Sequence, residues 1–176
     1  SLDIDSGDPE TVGKELRAQL DKAGIRERNC AVALSVSSLL VTQTEIPVLA
    51  DADVLSLLQL EAEKGFHGDT STHQVAHSRC VRGESSQWVT LAALTQTRLA
   101  SLERWTRCAR LKLVSISAAL CELEPPEDPA SEGVLALHLG SGPGPVTLQM
   151  SAGGGLVALR SFEGVTEDSS GQPVLH

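Results

Sequence analysis

Aromatic residues are almost absent from this 176-residue chain, which has two Trp, two Phe and no Tyr. Proteins that bind single-stranded nucleic acid stack its bases on aromatic side chains, and this composition leaves almost none for that purpose. Lys and Arg are also few, 14 against 23 Asp and Glu, and the resulting net charge of -9 opposes binding to phosphate backbones and anionic lipids. Nucleic acid is therefore not expected as a partner.

Disulfides and membrane spans are not indicated either. The four cysteines Cys30, Cys80, Cys108 and Cys121 lie far apart without a C-x-x-C motif, and a chain of this length can bury a core without disulfides. The longest mostly apolar run, residues 30–41, is interrupted by serines and is shorter than the ~20 residues that cross a bilayer. With no recognisable signal peptide at the start, these features predict a cytoplasmic protein.

Three segments have the apolar periodicity and the boundary residues of helices. The clearest begins at Asp8-Pro9-Glu10, which provides a capping Asp, a Pro at the first helical position and an early negative charge. In the second segment, Pro47 ends a strand and an acidic first turn follows. The predicted helices cover residues 9–23, 51–64 and 96–109.

Apolar and β-branched runs predict eight strands. The first two flank Ser37-Ser38 and are expected to form a hairpin or a tight strand pair, and the last three are expected to form antiparallel hairpins between glycine-rich turns. A short helical turn through Leu120 is expected after the fifth strand. The predicted strands cover residues 30–36, 39–46, a segment from residue 73, 88–94, 111–116, 134–139, 146–150 and 156–161. This mixture of elements predicts an α+β fold.

One stretch resembles a known family. Residues 46–63, I-P-V-L-A-D-A-D-V-L-S-L-L-Q-L-E-A-E, resemble the L-P-x-x-S-x-x-E-L-x-x-x-I-x-W-E-A-E pattern of PilM, the actin-like protein of type IV pilus assembly, except that Ala50 replaces the usual capping Ser. The strand W-V-T-L-A-A-L-T and the segment R-L-K-L-V-S-I-S-A-A-L are similar to later parts of the same family, with Arg110 in place of a helix-ending Gly. FtsA and the secretion protein GspL are relatives.

The resemblance implies a domain organisation. Residues 1–123 would form the strand-helix-strand-strand-type α+β domain that is inserted into an actin-like ATPase fold. The acidic, Pro-rich residues 124–133 would be a linker, since they suit neither a helix nor a central strand. Residues 134–176 would be β-hairpins of the second actin-like half, a partial subdomain.

The resemblance also implies a function. The chain would be a non-catalytic cytoplasmic scaffold, peripheral to the inner membrane, in a type IV pilus or type II secretion platform. Its expected partners are the cytoplasmic tail of an inner-membrane assembly protein and the assembly ATPase, and a homodimer is a further alternative. Two other interpretations remain open: a nucleotide-binding actin-like ATPase of which this chain is a fragment, and an unrelated soluble α+β module.

Gly140, Ser141 and Gly142 are the candidate cofactor-binding residues, as a degenerate phosphate loop of the kind that actin-like ATPases use. Pro143 and Pro145 remove two backbone N–H donors from this loop, so an ordinary hairpin turn is the favoured interpretation. No cofactor is expected in this chain itself, whereas a longer protein could bind ATP and Mg²⁺.

The remaining candidates are polar pairs and clusters. His73, His77 and Cys80 have a spacing that would suit zinc on a helix, but on the predicted strand residues four apart lie about 13 Å from each other, so no metal is expected even with His67 or Asp69 nearby. Glu61 and Glu63 are two apart on a helix and should point in different directions. One is expected to contact a neighbouring element, and Trp105 is expected in the core.

Overall fold

The computed structural model describes residues 8–66, 70–81, 85–118, 133–139, 146–162, 165–167 and 173–175. These residues divide into two compact units. The first unit combines residues before 35 with residues 95–118, and the second combines residues 35–94 with those after 118. Each unit mixes helices or helical turns with strands, so the predicted α+β class is confirmed at this level.

The first unit contains two helices and two strands. They are α1 (Pro9–Lys22), β1 (Asn29–Leu34), α3 (Gln96–Cys108) and β5 (Lys112–Ala118). α1 begins as predicted, because the Asp8 carboxylate accepts a hydrogen bond from the Thr11 backbone N–H at 3.2 Å. α1 packs against α3 where it has no side chain: a Cβ at Gly13 would collide with Cys108 Cβ and lie 2.9 Å from the Trp105 carbonyl oxygen.

The predicted hairpin or tight strand pair around Ser37-Ser38 is wrong. β1 pairs in parallel with β5, whereas β2 (Leu40–Pro47) pairs antiparallel with β4 (Ser86–Thr95). Residues Val36–Ser38 form a 3₁₀ turn between β1 and β2. A two-residue hairpin turn requires positive φ angles that serine adopts poorly, so this segment carries the chain onward instead of folding it back.

At the junction of α3 and β5 the backbone has an unusual conformation, and β5 extends further than the sequence predicts. Arg110, the residue in place of the family glycine, has a φ of +58°, the left-handed conformation that glycine adopts without strain. β5 then continues through Ala118, so the helical turn predicted after residue 116 is wrong for residues 117 and 118, and residues 119–120 lie outside the described part of the chain.

The second unit begins with a helix on a three-stranded sheet. α2 (Asp51–Gly65) packs on the sheet of order β2-β4-β3, in which β3 is His73–Val81. As the sequence predicts, α2 lacks a side-chain cap at Ala50 and ends at Gly65. The core between helix and sheet consists of Ile46, Val54, Leu58, Ala62, Val89 and Leu91.

The second sheet of this unit is an antiparallel meander, as predicted. It contains β6 (Val134–Leu139), β7 (Val146–Ala152) and β8 (Gly155–Phe162), and a separate pair is formed by β9 (Val165–Glu167) and β10 (Pro173–Leu175). Gly153 and Gly154, with φ angles of 55° and 77°, make the two-residue turn between β7 and β8. The polar Thr147, Gln149 and Ser151 of β7 are buried.

Direct bonds join the two sheets of the second unit. Thr90 Oγ1 donates to the Leu156 carbonyl at 2.8 Å, and the Leu156 N–H donates to Ser78 Oγ at 2.9 Å. Elements from both sides of the predicted linker therefore share one compact unit. Residues 124–132 lie outside the described part of the chain, and the division into residues 1–123 and 134–176 stays a prediction. Among the described residues, none of the helices combines the length and hydropathy needed to cross a bilayer.

Candidate functional site

A groove of about 350 Å³ lies between α2 and β3 in the second unit. Helical spacing places Leu55, Gln59 and Glu63 at i, i+4 and i+8, so they form one wall along the flank of α2. Strand alternation places His73, Val75 and His77 on the same face of β3, which forms the opposite wall. Thr70 and Ser71, in the 3₁₀ turn that precedes β3, also line the groove.

The groove has an apolar floor and a polar rim. Leu58, Ala62 and Leu91 belong to the hydrophobic core and also line the groove. Leu55 rises from the helix beside them and is 62% exposed, unusually high for a leucine next to a core. An apolar floor with a few polar groups at its edges is the usual composition of a site that binds an extended peptide or an organic ligand.

The β3 wall of the groove is also a sheet edge. Among the described strands, only β4 pairs with β3. β8 approaches the C-terminal part of β3, where Gly155 lies against the backbone of Arg79 and Cys80. The N-terminal part, from His73 to His77, therefore combines the groove wall with backbone groups that have no neighbouring strand in the described sheet. Such an edge can pair with an extended segment of another chain.

Glu61 has a structural contact on the opposite flank of α2 from the groove. Its carboxylate accepts hydrogen bonds from Lys64 Nζ at 2.6 Å and from Thr44 Oγ1 of β2 at 3.1 Å. The Lys64 ammonium, followed by the Thr44 hydroxyl, lowers the pKa of Glu61 below its usual value. Glu63 lines the groove instead. The two carboxylates point in different directions, as predicted, and do not form an acid/base pair.

The histidine cluster is divided by strand geometry. His73 and His77 lie on the groove face of β3, and the alternation of the strand places the buried Cys80 on the other face. His67 and Asp69 lie outside the described residues. Within the part of the chain that the structure describes, no three His, Cys, Asp or Glu side chains come together in an arrangement that could hold a metal ion.

Two further sequence candidates have different outcomes. Gly140, Ser141 and Gly142 lie outside the described residues, so the phosphate loop stays a prediction. Trp105 is 9% exposed in the first unit, which confirms that it is a core residue. The groove itself was not predicted from the sequence. Its only signal was Leu55, an apolar residue beside the buried stripe of α2 and in helical register with the polar Gln59 and Glu63.

Comparison with known proteins finds similarity to solved structures only. No protein-family model and no curated protein matches the chain. A solved structure, the PilM-PilN type IV pilus biogenesis complex, matches 87% of this chain with a TM-score of 0.66 and 21% identity. The fold is PilM-like. This finding confirms the resemblance at the level of the fold, while the narrower assignment to an inserted actin-like domain stays a prediction.

A second structure supports the same PilM-like fold. The cytoplasmic domain of EpsL, an inner-membrane component of the type II secretion system of Vibrio cholerae, matches 81% of the chain with a TM-score of 0.54 and 19% identity. The chain covers 48% of the PilM chain and 55% of the EpsL chain, so it spans about half the length of these structures.

Proposed function

We propose that this chain is a non-catalytic protein-binding module of a type IV pilus or type II secretion platform, on the cytoplasmic side of the inner membrane. The observation that carries the proposal is the PilM-like fold over 87% of the chain, in a structure where PilM is in complex with PilN. The partner in the present case is the extended cytoplasmic tail of an inner-membrane assembly protein. The assembly ATPase and a second copy of the chain are further proposed partners.

The groove between α2 and β3 suits an extended tail. Backbone groups of the tail would pair with the open edge at His73–His77, which supplies affinity without selecting a sequence. Alternate side chains of an extended segment point to one side, and those that face the groove would pack on Leu58, Val75 and Leu91. Leu55, which is exposed without a partner, would then be covered.

Charge indicates which tails fit. Of the 23 Asp and Glu, 15 lie in residues 35–94 and 119–176, together with only 4 of the 14 Lys and Arg. Glu63 contributes one of these carboxylates to the groove rim. A tail with apolar residues at alternate positions and a Lys or Arg beside them would therefore be favoured over an acidic one.

Peptide binding tests the proposal. Fluorescein-labelled peptides that copy the cytoplasmic tails of pilus and secretion inner-membrane proteins from the same organism would be titrated with the protein and followed by anisotropy. We expect Leu55→Glu to weaken binding of the recognised tail at least tenfold, about 1.4 kcal/mol. Leu60→Glu is the matched control, because Leu60 is 54% exposed on the same helix and does not line the groove.

Two outcomes would reject this function for the groove. If no tail binds, the chain is not a tail-binding module. If Leu60→Glu weakens binding as much as Leu55→Glu does, the tail binds elsewhere on α2. The alternative of a nucleotide-binding ATPase depends on Gly140, Ser141 and Gly142, and no feature of the described residues favours it.

A further inference from the structure

Positive charge is concentrated in the first unit. Ten of the 14 Lys and Arg lie in residues 1–34 and 95–118, against 8 of the 23 Asp and Glu, so this part has a net charge of +2 while the remainder has -11. The overall value of -9 is the sum of two regions of opposite sign. At physiological ionic strength charges beyond about 8 Å are largely screened, so a surface is governed by its local charge and not by the total.

Five of the ten cations of the first unit lie at one end of it, where α3 ends and β1 and β5 begin. The Arg110 N–H donates to the Arg107 carbonyl at 3.0 Å, and the Lys112 N–H donates to the Arg28 carbonyl at 2.6 Å. Arg26 lies two residues before Arg28 in the same approach to β1. We name these five residues the basic end, and all five are exposed.

The nearby carboxylates of Glu27 and Asp21 reduce the local charge but form no ion pair with the basic end. Glu27 accepts hydrogen bonds from the backbone N–H groups of Arg28 and Asn29, at 2.9 and 3.1 Å. Asp21 is held by Arg17 at 2.6 Å. None of the ion pairs between described residues involves a member of the basic end. Its guanidinium and ammonium groups are therefore available to an external anion.

Two exposed apolar side chains accompany these charges. Ile25 precedes Arg26 and is 45% exposed. Val114 is 55% exposed, and it is the bulge residue of β5, because Cys30 pairs with Leu113 and the next residue of β1 pairs with Ser115. Clustered cations with a few exposed apolar side chains are typical of surfaces that bind the headgroup region of an anionic bilayer.

We propose that the basic end docks the first unit onto an anionic lipid bilayer. Nucleic acid is a poorer match, because the sole aromatic residue in residues 1–34 and 95–118 is Trp105, which is buried. The proposal goes beyond the tail-binding function and does not depend on it, since the groove belongs to the second unit. It differs from the expectation based on the net charge of the whole chain, which opposes binding to anionic lipids.

Vesicle co-sedimentation tests this docking with the full chain. We expect binding to vesicles of phosphatidylglycerol mixed with phosphatidylcholine, no binding to phosphatidylcholine alone, and loss of binding as salt is raised. A basic residue near an anionic leaflet contributes roughly fivefold to the affinity. The fourfold variant Arg26→Gln, Arg28→Gln, Arg107→Gln and Lys112→Gln should therefore bind the mixed vesicles about 600-fold more weakly.

A matched variant separates local charge from total charge. This variant removes the same number of positive charges, four, from outside the basic end: Lys14→Gln, Lys22→Gln, Lys64→Gln and Arg160→Gln. It should reduce binding less than tenfold. Circular dichroism would confirm that both variants are folded. Absence of binding to the mixed vesicles, equal losses in the two variants, or binding to polyglutamate without binding to vesicles would each overturn the proposal. The last result would assign the basic end to an acidic protein.

Discussion

The helices and strands of the two units are held together in different ways. In the first, two helices contact each other at Gly13, where the absence of a side chain allows α1 to lie close to the backbone of α3. In the second, two sheets meet at Gly155 through polar bonds, with Thr90 and Ser78 bound to the backbone of β8. The first unit thus uses a helix–helix contact at a glycine, whereas the second adds hydrogen bonds between its two sheets to the core of α2 on one of them.

The units also differ in the partners that their surfaces suit. The first is basic and has an exposed cluster of cations, whereas the second is acidic and contains the groove. The bilayer proposal thus rests on the first unit and the tail proposal on the second. Each unit has one tryptophan that can serve as its fluorescent reporter, Trp105 in the first and Trp88 in the second. A Trp88→Phe background therefore leaves Trp105 to report on the first unit by fluorescence, and a Trp105→Phe background leaves Trp88 to report on the second.

The largest effect is expected at the contact between the two sheets. A Cβ at position 155 would overlap the carbonyl of Arg79 and lie 2.9 Å from the Cys80 nitrogen, and a backbone cannot yield as a side-chain tip can. Gly155→Ala should lower the free energy of unfolding by about 3 kcal/mol, as overpacking does. Urea unfolding followed through Trp88 measures it.

Gly154→Ala is the control for that variant, because Gly154 has a φ of +77° but no atom within 4 Å of a Cβ. It should cost only about 1 kcal/mol, the strain of a left-handed alanine. Equal losses of stability in the two variants would show that strain in the turn, and not the contact of β8 with β3, lowers the free energy of unfolding.

The helix contact of the first unit should be less sensitive, because one of its two terms opposes the other. Gly13→Ala introduces a clash with Cys108 and Trp105 costing about 1–3 kcal/mol, while alanine favours the helix by about 1 kcal/mol. We expect a net loss of about 0–2 kcal/mol, measured by urea unfolding through Trp105. A gain in stability would mean that α1 and α3 are not in close contact at this position.

Local signals explain why most elements of the fold were predictable. Asp8 and Pro9 define the start of α1, the stripe of α2 defines its buried face, and the glycines at 153 and 154 define the last hairpin. These features act within a few residues, so the sequence contains them directly. The PilM-like fold was also accessible, through a pattern confined mainly to residues 46–63.

Long-range pairing was not predictable in the same way. β1 and β2 are neighbours in sequence, yet β1 pairs with β5 about eighty residues later, and no local rule selects that partner. The alternation of β7 identifies a strand, but hydrophobicity would put Leu148 and Met150 inside, whereas Gln149 and Ser151 are buried. The groove was missed for the same reason, since its two walls come from separate elements, α2 and β3.

The smallest predicted effect concerns Arg110 and has the opposite sign. Its φ of +58° is strained for a residue with a Cβ and relaxed for glycine, the residue that the PilM pattern has there. Arg110→Gly should therefore raise the free energy of unfolding of the first unit by about 1 kcal/mol, reported by Trp105. Arg107→Gly, inside the last turn of α3, should lower it by about 1 kcal/mol. A loss of stability in both variants would show that Arg110 contributes more through its side chain than its backbone costs.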